Sequence, residues 1–211
     1  MPIDAIIFDL DGTLVDSADG ILASFAGAFQ TCGRSPERTL NHEIIGSPLV
    51  PTLQLLSGTD DEEVIEPLRA AFIDYYDKTG YKDTKVYSGI IEMLRRLKQS
   101  ALPMFIATNK RKIPTDKIVT KLNWGDYFES VYALDSLQPP ASSKVALINH
   151  ILLTYQLRRT HTLYVGDRDE DLLAATETGV QFYRAAWGYG GSGNSDSDEN
   201  GIKKINELLN L

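Results

Sequence analysis

The sequence predicts an α/β fold in which a parallel sheet carries helices on both faces and further helices are inserted near the amino terminus. Three observations support this. From about residue 86 onward, short apolar runs alternate with segments of helical periodicity, which is typical of parallel strands joined by crossover helices. Several apolar runs end abruptly in polar residues, as strands do where ligands bind at their carboxyl ends. Between about residues 15 and 83 the only periodicity is helical, so we expect a helical insert without strands.

The composition is that of an ordinary globular protein with an acidic surface. The chain has 211 residues, of which 43% are hydrophobic and 24% charged, and its formal net charge is -8. This charge argues against nucleic acid or an anionic membrane as the main binding partner, because phosphate groups repel such a surface. A small phosphorylated substrate remains compatible with it, since that requires only a local cluster of cations in one pocket.

The expected cellular location follows from features that the sequence lacks. Cys32 is the only cysteine, so no intrachain disulfide can form and a reducing compartment is expected. The first residues, Met1 to Asp4, lack the basic start and the long apolar segment of a signal peptide. No window approaches the apolar length of a membrane span. We therefore expect a cytoplasmic protein, and the sequence sets no oligomeric state.

The amino-terminal third contains one predicted strand and two predicted helices. The strand covers about residues 4–10 and is rich in Ile and Phe. A helix is expected over about 17–32, because apolar residues recur there at helical spacing, with Ser17 or Asp19 as the capping residue. A broken segment with several Gly and Pro residues follows. A second helix is expected over about 60–78, with acidic residues at its start, where the helix dipole favours negative charge.

The remainder of the chain alternates between the two types of element. Predicted helices cover about residues 89–99, 114–122, 144–155, 170–178 and 202–209. Predicted strands cover about residues 104–107, 131–134, 162–165 and 180–185. Gly179 is expected to end the fourth of these helices as its C-cap. A segment rich in Gly, Ser, Asn and Asp at about 188–201 predicts a loop.

The first strand ends in two aspartates, Asp9 and Asp11, separated by one residue. Side chains at positions i and i+2 of an extended chain point to the same side, so the two carboxylates should converge if the strand continues that far. Their repulsion is relieved by a shared proton or a bound cation. The pair therefore indicates a hard-cation site next to a reacting centre. The alternative is an acidic surface turn, because Asp-Gly, here Asp11-Gly12, is a common turn sequence.

The other predicted strand ends bring further polar side chains to the same edge of the sheet. Thr108 and Asn109 follow the second strand, and Asp167 follows the fourth, with Asp171 shortly after it. The loop after the third strand leads to Lys144. Carboxylates, a hydroxyl, an amide and an ammonium group thus meet at one rim, a combination that a chance set of turn residues rarely provides. The rim is therefore the predicted site of chemistry.

These residues resemble the motifs of the haloacid dehalogenase superfamily, and most closely its phosphoglycolate-phosphatase-like branch. The first family motif, DxDGT, matches residues 9–13. The second, a Ser or Thr at a strand end, matches Thr108, and the following Asn109-Lys110 is typical of the branch. The fourth, GDxxxD, matches residues 166–171, and residues 45–49 look like a cap motif. The resemblance covers essentially the whole chain.

The resemblance implies a Rossmann-like α/β core domain with an inserted helical cap domain. The core would comprise residues 1–14 and 84–211, and the cap residues 15–83. The implied activity is Mg²⁺-dependent hydrolysis of small phosphomonoesters through an aspartyl-phosphate intermediate. The partner would be a small phosphorylated metabolite. Phosphoglycolate, a sugar phosphate, a nucleoside monophosphate and pyrophosphate all stay open, because the choice depends on cap residues.

The resemblance also assigns roles to the residues of the rim. Asp9 would be the nucleophile, and Asp11 would act as general acid and then as general base. Mg²⁺ would be held by Asp9, the backbone carbonyl of Asp11 and Asp167, with Asp171 orienting the metal shell or holding the lysine. The residues implied to bind the phosphate group are Thr13, Thr108, Asn109 and Lys144, of which Thr108 and Lys144 would also stabilise the transition state.

The third family motif departs from its common form. A lysine followed by proline is usual, whereas Lys144 is followed by Val145 and the prolines come earlier, at Pro139-Pro140. Some relatives carry a Ser-Lys form at comparable distance from the fourth motif, so Ser143-Lys144 is accepted as this motif. Lys110 is the alternative for the phosphate-neutralising lysine, and a surface position at a helix start is the structural alternative for Lys144.

Three other functions compete with a phosphatase. A dehalogenase of the same superfamily needs no metal, and Asp11 with the acidic fourth motif argues against it. A phosphomutase shares every core residue and differs only in the cap, so spacing does not exclude it. A response-regulator receiver, the non-enzymatic alternative, also has acids at strand ends, a Thr and a Lys. Receivers are compact, however, and lack a helical insert of this length directly after the acidic strand.

Overall fold

A computed structural model describes residues 3–190 of the chain, and its centre is a five-stranded parallel sheet with a two-stranded sheet beside it. The strands, in chain order, are β1 (Ala5–Phe8), β2 (Val15–Asp16), β3 (Lys85–Val86), β4 (Met104–Thr108), β5 (Ser130–Ala133), β6 (Thr162–Gly166) and β7 (Gln181–Arg184). The order in the large sheet is β5-β4-β1-β6-β7. Because β1 is central, the residues that follow it are flanked by the ends of β4 and β6.

Helices join these strands and fill the insert. The α-helices of the described residues are α1 (Ala18–Thr31), α2 (Leu49–Ser57), α3 (Glu62–Lys78), α4 (Ile90–Gln99), α5 (Lys112–Lys121), α6 (Lys144–Thr154) and α7 (Asp169–Thr178). Short 3₁₀ segments cover His42–Ile44, Gly80–Asp83, Leu134–Ser136 and Arg159–His161. Within residues 3–190, none of the helices has the length and apolar character that crossing a membrane requires.

The central strand β1 is buried on both faces, which explains its uninterrupted apolar sequence. Ile6 and Phe8 belong to a hydrophobic core that residues of α4 and Trp124 complete. Ala5 and Ile7 belong to a second core that residues of α6 and α7 complete. A parallel strand covered on both faces needs no alternation of polar and apolar residues. The predicted Rossmann-like sheet with helices on both faces is therefore confirmed.

The insert between β2 and β3 has a hydrophobic core of its own, built by α1, α2 and α3. The ring centroids of Phe25 and Phe72 are 4.5 Å apart, and Phe72 stacks on Tyr76 at 5.6 Å. Aromatic pairs at these distances add to the stabilisation from buried area. The insert leaves and rejoins the sheet at one place, because β2 and β3 pair antiparallel with Val15 opposite Val86.

Two expectations for the insert are wrong. The sequence predicts no strand between residues 15 and 83, yet Val15–Asp16 forms a strand that pairs with β3. A strand of two residues is too short to show an alternation of polar and apolar positions. The segment expected to be broken contains α2, which begins after Pro48 and ends at Gly58, whose φ is +68°. Proline before the first turn and glycine after the last are normal boundary residues of a helix, so here they delimit α2 and do not exclude it.

The remaining predicted elements within residues 3–190 are confirmed to within a few residues. β1 ends at Phe8 and not at residue 10, so the two aspartates lie beyond the strand. Gly179 ends α7 with a φ of +72°, as expected of a C-cap glycine. Ser17 precedes α1, but its side chain makes no capping bond. The helix expected over 202–209 and most of the loop expected over 188–201 lie outside the described residues.

Candidate active site

The turn after β1 is the centre of the site, because it lies between the ends of β4 and β6. The Asp9 amide donates to the Val165 carbonyl over 2.8 Å, which holds Asp9 in line with the sheet. The chain then turns at Gly12, whose φ is +85°. A β-carbon on Gly12 would stand 2.5 Å from Oδ2 of Asp167. Glycine is therefore required both by the backbone conformation and by the close approach of the second acidic loop.

Asp167 and Asp171 come from the loop after β6 and from the first turn of α7, and both are fully buried. Oδ2 of Asp171 accepts a hydrogen bond from the Arg168 amide over 2.9 Å, and Oδ1 accepts one from the Tyr164 hydroxyl over 2.8 Å. Oδ2 of Asp167 accepts a hydrogen bond from the Gly190 amide over 3.1 Å. Backbone and strand groups therefore fix the orientation of both carboxylates.

Lys144 links these acids to Asp9. Its Nζ atom lies 3.1 Å from Oδ2 of Asp9 and also bonds Oδ1 of Asp171. The side chain is only 6% exposed, so the alternative of a surface lysine at the start of α6 is wrong. Burial alone would lower the pKa of Lys144, but the carboxylates of Asp9 and Asp171 outweigh it and raise that pKa. The ammonium group therefore stays charged beside Asp9.

Asp9, Asp167 and Asp171 form a carboxylate cluster that suits a hard cation. One oxygen from each lies within 4.8 Å of the others. Burial, together with the neighbouring carboxylates, raises the pKa of Asp9 well above its ordinary value and that of Asp167 to about 6. Within residues 3–190 the buried Oδ1 atom of Asp167 has no hydrogen-bond partner. Since hard divalent cations take carboxylate oxygens as ligands, the cluster fits Mg²⁺.

Asp171 differs from the other two acids because its oxygens already have partners. Burial would raise its pKa, but the ammonium group of Lys144 outweighs burial and lowers it. Both Asp171 oxygens accept hydrogen bonds from protein donors. In this arrangement Asp171 holds Lys144, which was one of the two roles expected for it. Asp169, between the two buried acids in sequence, is exposed.

The neutral residues expected to bind phosphate are divided between the rim and the insert. Thr108 is buried at the end of β4, the strand beside β1. Thr13 is buried too, and its carbonyl accepts a hydrogen bond from the indole of Trp187 over 2.9 Å. The Thr13 hydroxyl has no partner among the residues that the structure describes. Asn109 turns toward the insert, where its side-chain amide donates to the Gly46 carbonyl over 3.0 Å.

A second buried lysine, Lys110, accompanies Asp11. Its Nζ atom lies 2.9 Å and 3.1 Å from the two carboxylate oxygens of Asp11, and 4.6 Å from the ring centroid of Tyr76 in the insert. Asp11 also accepts a hydrogen bond from the Ser17 hydroxyl over 2.5 Å. Burial alone would lower the pKa of Lys110, but Asp11 outweighs it and raises that pKa. The structure therefore gives Asp9 and Asp11 a lysine each.

A cavity of about 60 Å³ lies beside Asp11, between the insert and the sheet. Its lining includes Ile21, Phe25, Ile45 and Phe72 of the insert and Lys110 and Arg111 of the core. Polar contacts hold the insert against the core around it. Arg111 donates through both terminal nitrogens to the carboxylate of Asp77 in α3, and Arg168 donates to the His42 carbonyl over 2.5 Å. The insert therefore covers the rim.

Sequence reasoning missed the residues that complete each cluster from elsewhere in the chain. Ser17 was expected to cap a helix and Tyr76 to fill the core of the insert, and their helical spacing carries no other signal. Lys110 was considered only as an alternative to Lys144. The one available signal for Tyr164 is a hydroxyl in the middle of a buried strand whose other inner residues, Leu163 and Val165, are apolar. The three histidines, for which the sequence predicts no catalytic role, contribute no side chain to the carboxylate cluster or to the Asp11–Lys110 pair.

Comparison with known proteins agrees with this architecture. Residues 6–185 match the family described as haloacid dehalogenase-like hydrolase. A haloacid dehalogenase-like family hydrolase from Streptococcus pneumoniae has the same fold, with a TM-score of 0.83 at 27% sequence identity. The similarity covers 98% of this chain and 98% of that chain. It therefore includes both the sheet and the insert.

Three of the curated relatives that match the chain have different names. The tyrosine-protein kinase PtkA of Mycobacterium tuberculosis is 33% identical over 187 residues, which are 88% of this chain and 62% of the kinase. The phosphoglycolate phosphatase of Rhodobacter capsulatus is 33% identical over 190 residues, which are 88% of this chain and 85% of that protein. The 5′-nucleotidase of Pseudomonas aeruginosa is 30% identical over 186 residues, with coverages of 88% and 83%. The chain thus spans less than two thirds of the kinase but most of the other two proteins.

Proposed function

This chain belongs to the haloacid dehalogenase-like hydrolases, and on that premise we propose that it is a Mg²⁺-dependent phosphatase of small phosphomonoesters. The observation that carries the proposal is the buried pair of Asp9 and Lys144, 3.1 Å apart beyond the central strand. A carboxylate approaches a phosphate dianion only where positive charge offsets their repulsion, and the lysine supplies part of that charge. Two relatives named phosphoglycolate phosphatase and 5′-nucleotidase support the same reaction.

Mg²⁺ is assigned to Asp9, Asp167 and the backbone carbonyl of Asp11. The unpartnered Oδ1 atom of Asp167 and the raised pKa values of Asp9 and Asp167 support this assignment, because a cation favours the ionised form of both acids. Bound there, Mg²⁺ would neutralise charge on the carboxylate and on the phosphate group. Asp171 contributes by holding Lys144 in position.

The first half-reaction transfers the phosphoryl group to Asp9. A carboxylate oxygen of Asp9 attacks phosphorus, the ester P–O bond breaks, and the leaving alkoxide takes a proton from Asp11. Asp11 is held by Ser17 and Lys110 and Asp9 by Lys144, so the two acids lie among different groups.

The second half-reaction restores Asp9. Water attacks phosphorus of the aspartyl-phosphate and gives a proton to Asp11, and the P–O bond to Asp9 breaks as inorganic phosphate forms. Positive charge and hydrogen-bond donors around the non-bridging oxygens lower the barrier of both steps. The donors assigned to those oxygens are Lys144, Thr13, Thr108 and Asn109. The buried, unpartnered hydroxyl of Thr13 supports its part in this set.

The division into two domains is part of the proposal. Residues 15–83 act as a cap over a core formed by residues 1–14 and 84–211. The separate hydrophobic core of the insert and its paired connections β2 and β3 support this division. A cap that covers the rim excludes water from the phosphorylated aspartate and limits which leaving groups enter.

A turnover assay tests the proposed function. The purified protein is incubated with Mg²⁺ and a panel of phosphomonoesters, and inorganic phosphate is measured over time. Phosphate release should continue far beyond one equivalent per protein, stop with EDTA and resume with added Mg²⁺. A single phosphorylation without turnover would instead indicate a receiver, and isomerisation without net release would indicate a mutase. Transfer from a nucleotide to tyrosine would place the chain with the kinase relative.

A further inference from the structure

Tyr164 brings a hydroxyl group into the apolar core that the sheet shares with α6 and α7. The residue is 0% exposed and lies in the same core as Ala5 and Ile7. A buried hydroxyl without a partner costs free energy, whereas phenylalanine would fill almost the same space without that cost. The Tyr164 hydroxyl has a partner, because it donates to Oδ1 of Asp171 over 2.8 Å. This bond connects the interior of the sheet to the candidate active site.

The bond is possible because Gly166 leaves one face of β6 bare. Side chains two residues apart on a strand share a face, so Tyr164 and position 166 face the same side. A β-carbon on Gly166 would stand 2.5 Å from both Cβ and Cγ of Asp171. The Asp171 side chain therefore packs directly on the strand at Gly166, within reach of the hydroxyl two residues earlier.

The hydroxyl is the donor in this bond. Burial, together with the Asp171 carboxylate, raises the pKa of Tyr164 well above its ordinary value, so the group keeps its proton. The other oxygen of Asp171, Oδ2, accepts from the Arg168 amide over 2.9 Å. Each oxygen is thus held by a donor that the strand or the loop after it positions. Rotation of the carboxylate would break at least one of these bonds.

The oxygen that Tyr164 holds is also the oxygen that Lys144 binds. Nζ of Lys144 bonds Oδ1 of Asp171 and lies 3.1 Å from Oδ2 of Asp9. An ammonium group has three N–H donors, so two fixed acceptors set the direction of the third. In the proposed reaction that third donor serves a non-bridging oxygen of the phosphate group. Its direction therefore depends on where Oδ1 of Asp171 lies.

Loss of the Tyr164 hydroxyl would change the forces on Lys144 in one direction. Oδ1 of Asp171 would then direct all of its accepting capacity to the ammonium group, because a carboxylate oxygen shares its lone pairs among its donors. The carboxylate would also be free to turn toward the lysine. Both changes move the ammonium group toward Asp171 and away from Asp9.

We propose that Tyr164 is a positioning residue of the site, and that its hydroxyl sets, through Asp171, the position of the Lys144 ammonium group relative to Asp9. The proposal rests on the proposed phosphatase function, which gives Lys144 its role, and adds a residue to that function. Because Tyr164 acts through two other side chains, its loss weakens stabilisation of the transition state. The effect therefore falls on kcat more than on KM.

The variant Tyr164→Phe tests the proposal directly. Its kcat for phosphate release should fall about tenfold with KM within about twofold, because misplacing a group by about 1 Å costs up to roughly 100-fold in rate. The matched control is Tyr155→Phe, which removes a hydroxyl bonded to that of Ser130 at the border of the same core. The control should keep kcat within about twofold of the unmodified chain. Equal kcat values in the two folded variants would overturn the proposal.

A double variant shows whether the effect passes through Asp171. Asp171→Ala removes the acceptor of the hydroxyl and one of the two carboxylates beside Lys144. Adding Tyr164→Phe to it should change kcat by no more than about twofold, because residues that act through one network do not have additive effects. A further tenfold loss in the double variant would show another route of action and would overturn the proposal.

Crystal structures of the variants give a readout that is independent of activity. In Tyr164→Phe, Nζ of Lys144 should lie farther from Oδ2 of Asp9 than the 3.1 Å of the unmodified chain. In Asp171→Asn it should move the opposite way, because a neutral amide oxygen attracts the ammonium group less strongly. Tyr155→Phe should leave the ammonium group in place. An unmoved Nζ atom in both Tyr164→Phe and Asp171→Asn would overturn the proposal.

These measurements separate two failures. Absence of phosphate release from every ester, in unmodified protein whose thermal unfolding shows that it is folded, would overturn the proposed function and with it the role of Lys144. Release by the unmodified chain at the same kcat as by Tyr164→Phe would overturn this inference alone and leave the phosphatase function standing.

Discussion

The two buried lysines of the site differ in the origin of their partners. Lys144 contacts Asp9 and Asp171, and all three residues follow strands of the central sheet. Lys110 contacts Asp11 of the core, but it also lies against the ring of Tyr76 in the insert. The first cluster is complete within the core, whereas the second is complete only when the insert lies against the sheet.

This difference separates the two ends of the proposed substrate. The phosphate end, at Lys144, is built by strand ends whose relative positions the sheet fixes, so the contacts of Lys144 with Asp9 and Asp171 do not involve the insert. The leaving-group end, at Lys110, is shared between core and insert, so enclosure and substrate choice depend on how the two meet. The same electrostatics operates in both: burial would lower the lysine pKa, and the paired carboxylates raise it.

The largest expected effect is the loss of the nucleophile in the core cluster. Asp9→Asn should lower kcat for phosphate release by about 10⁴-fold or more, because an amide oxygen does not form the phosphorylated intermediate. The control is thermal unfolding, which should be unchanged or shifted upward, since the substitution removes one charge from three crowded carboxylates. Turnover near that of the unmodified chain would contradict the assignment of Asp9.

Removing either lysine compares the two clusters directly. Lys144→Met should lower the free energy of unfolding by about 3 kcal/mol, because Asp9 and Asp171 lose the cation that pairs with both. Lys110→Met should cost less, because Asp11 keeps its bond to Ser17. Urea unfolding of both variants measures the two costs. Adding Asp171→Asn to Lys144→Met should recover part of the loss, and a larger cost for Lys110→Met would contradict the comparison.

Metal binding should depend on pH through Asp167. Its pKa of about 6 lies above the ordinary 3.8, so in metal-free protein this group favours folding at low pH and loses that contribution as pH rises toward 6. The effect is at most about 3 kcal/mol, from the size of the shift. Asp171, Arg168 and Lys144 are the charged groups that act on it.

Mg²⁺ should offset this loss, because a cation favours the ionised carboxylate. The rise in melting temperature on adding Mg²⁺ should therefore be larger at pH 7 than at pH 5, and calorimetry in the presence and absence of EDTA measures it. Asp167→Asn should reduce the pH dependence of the rise, and the part that remains belongs to Asp9, whose pKa is raised as well. An equal rise at both pH values in the unmodified chain would show that Mg²⁺ binds elsewhere.

The smallest effect belongs to the aromatic partner of Lys110. Tyr76→Leu removes the ring face under the ammonium group, which is worth about 1 kcal/mol at a site of this kind. The value of kcat/KM should fall a few-fold and activity should remain Mg²⁺-dependent. Tyr76→Phe keeps the ring face and should behave as the unmodified chain does. Loss of all activity in Tyr76→Leu would mean that the insert supports the phosphate end as well.

The sheet and the positions of the acidic loops were predictable from local pattern. Apolar runs that alternate with helical periodicity identify the strands, and the carboxyl ends of parallel strands necessarily share an edge. Asp9, Asp167 and Lys144 therefore could be placed at one rim before their distances were known. The two-residue strand β2 and the helix α2 were missed, because the first has no measurable period and the second is bounded by residues that also break helices.

The pairing of charges was not predictable in the same way. Lys110 pairs with Asp11, 99 positions away in sequence, and Arg111 pairs with Asp77, 34 positions away. Such contacts depend on how the insert packs against the core, and the hydrophobic periodicity of the sequence does not indicate that packing. The hydrogen bond of the buried Tyr164 hydroxyl and the lack of a partner for Oδ1 of Asp167 among the described residues likewise depend on the surrounding side chains, which the sequence pattern does not place.

The sequence by itself determined which groups reach the rim. Each of them follows a strand, and the carboxyl ends of parallel strands lie at the same edge of the sheet. Only the tertiary structure decided which lysine contacts which aspartate, and that Arg111 pairs with Asp77 of the insert. The physical reason is that strand order is set by hydrogen bonding and hydrophobic pattern, whereas charge pairing in a buried cleft is set by a few ångströms of side-chain placement between distant segments.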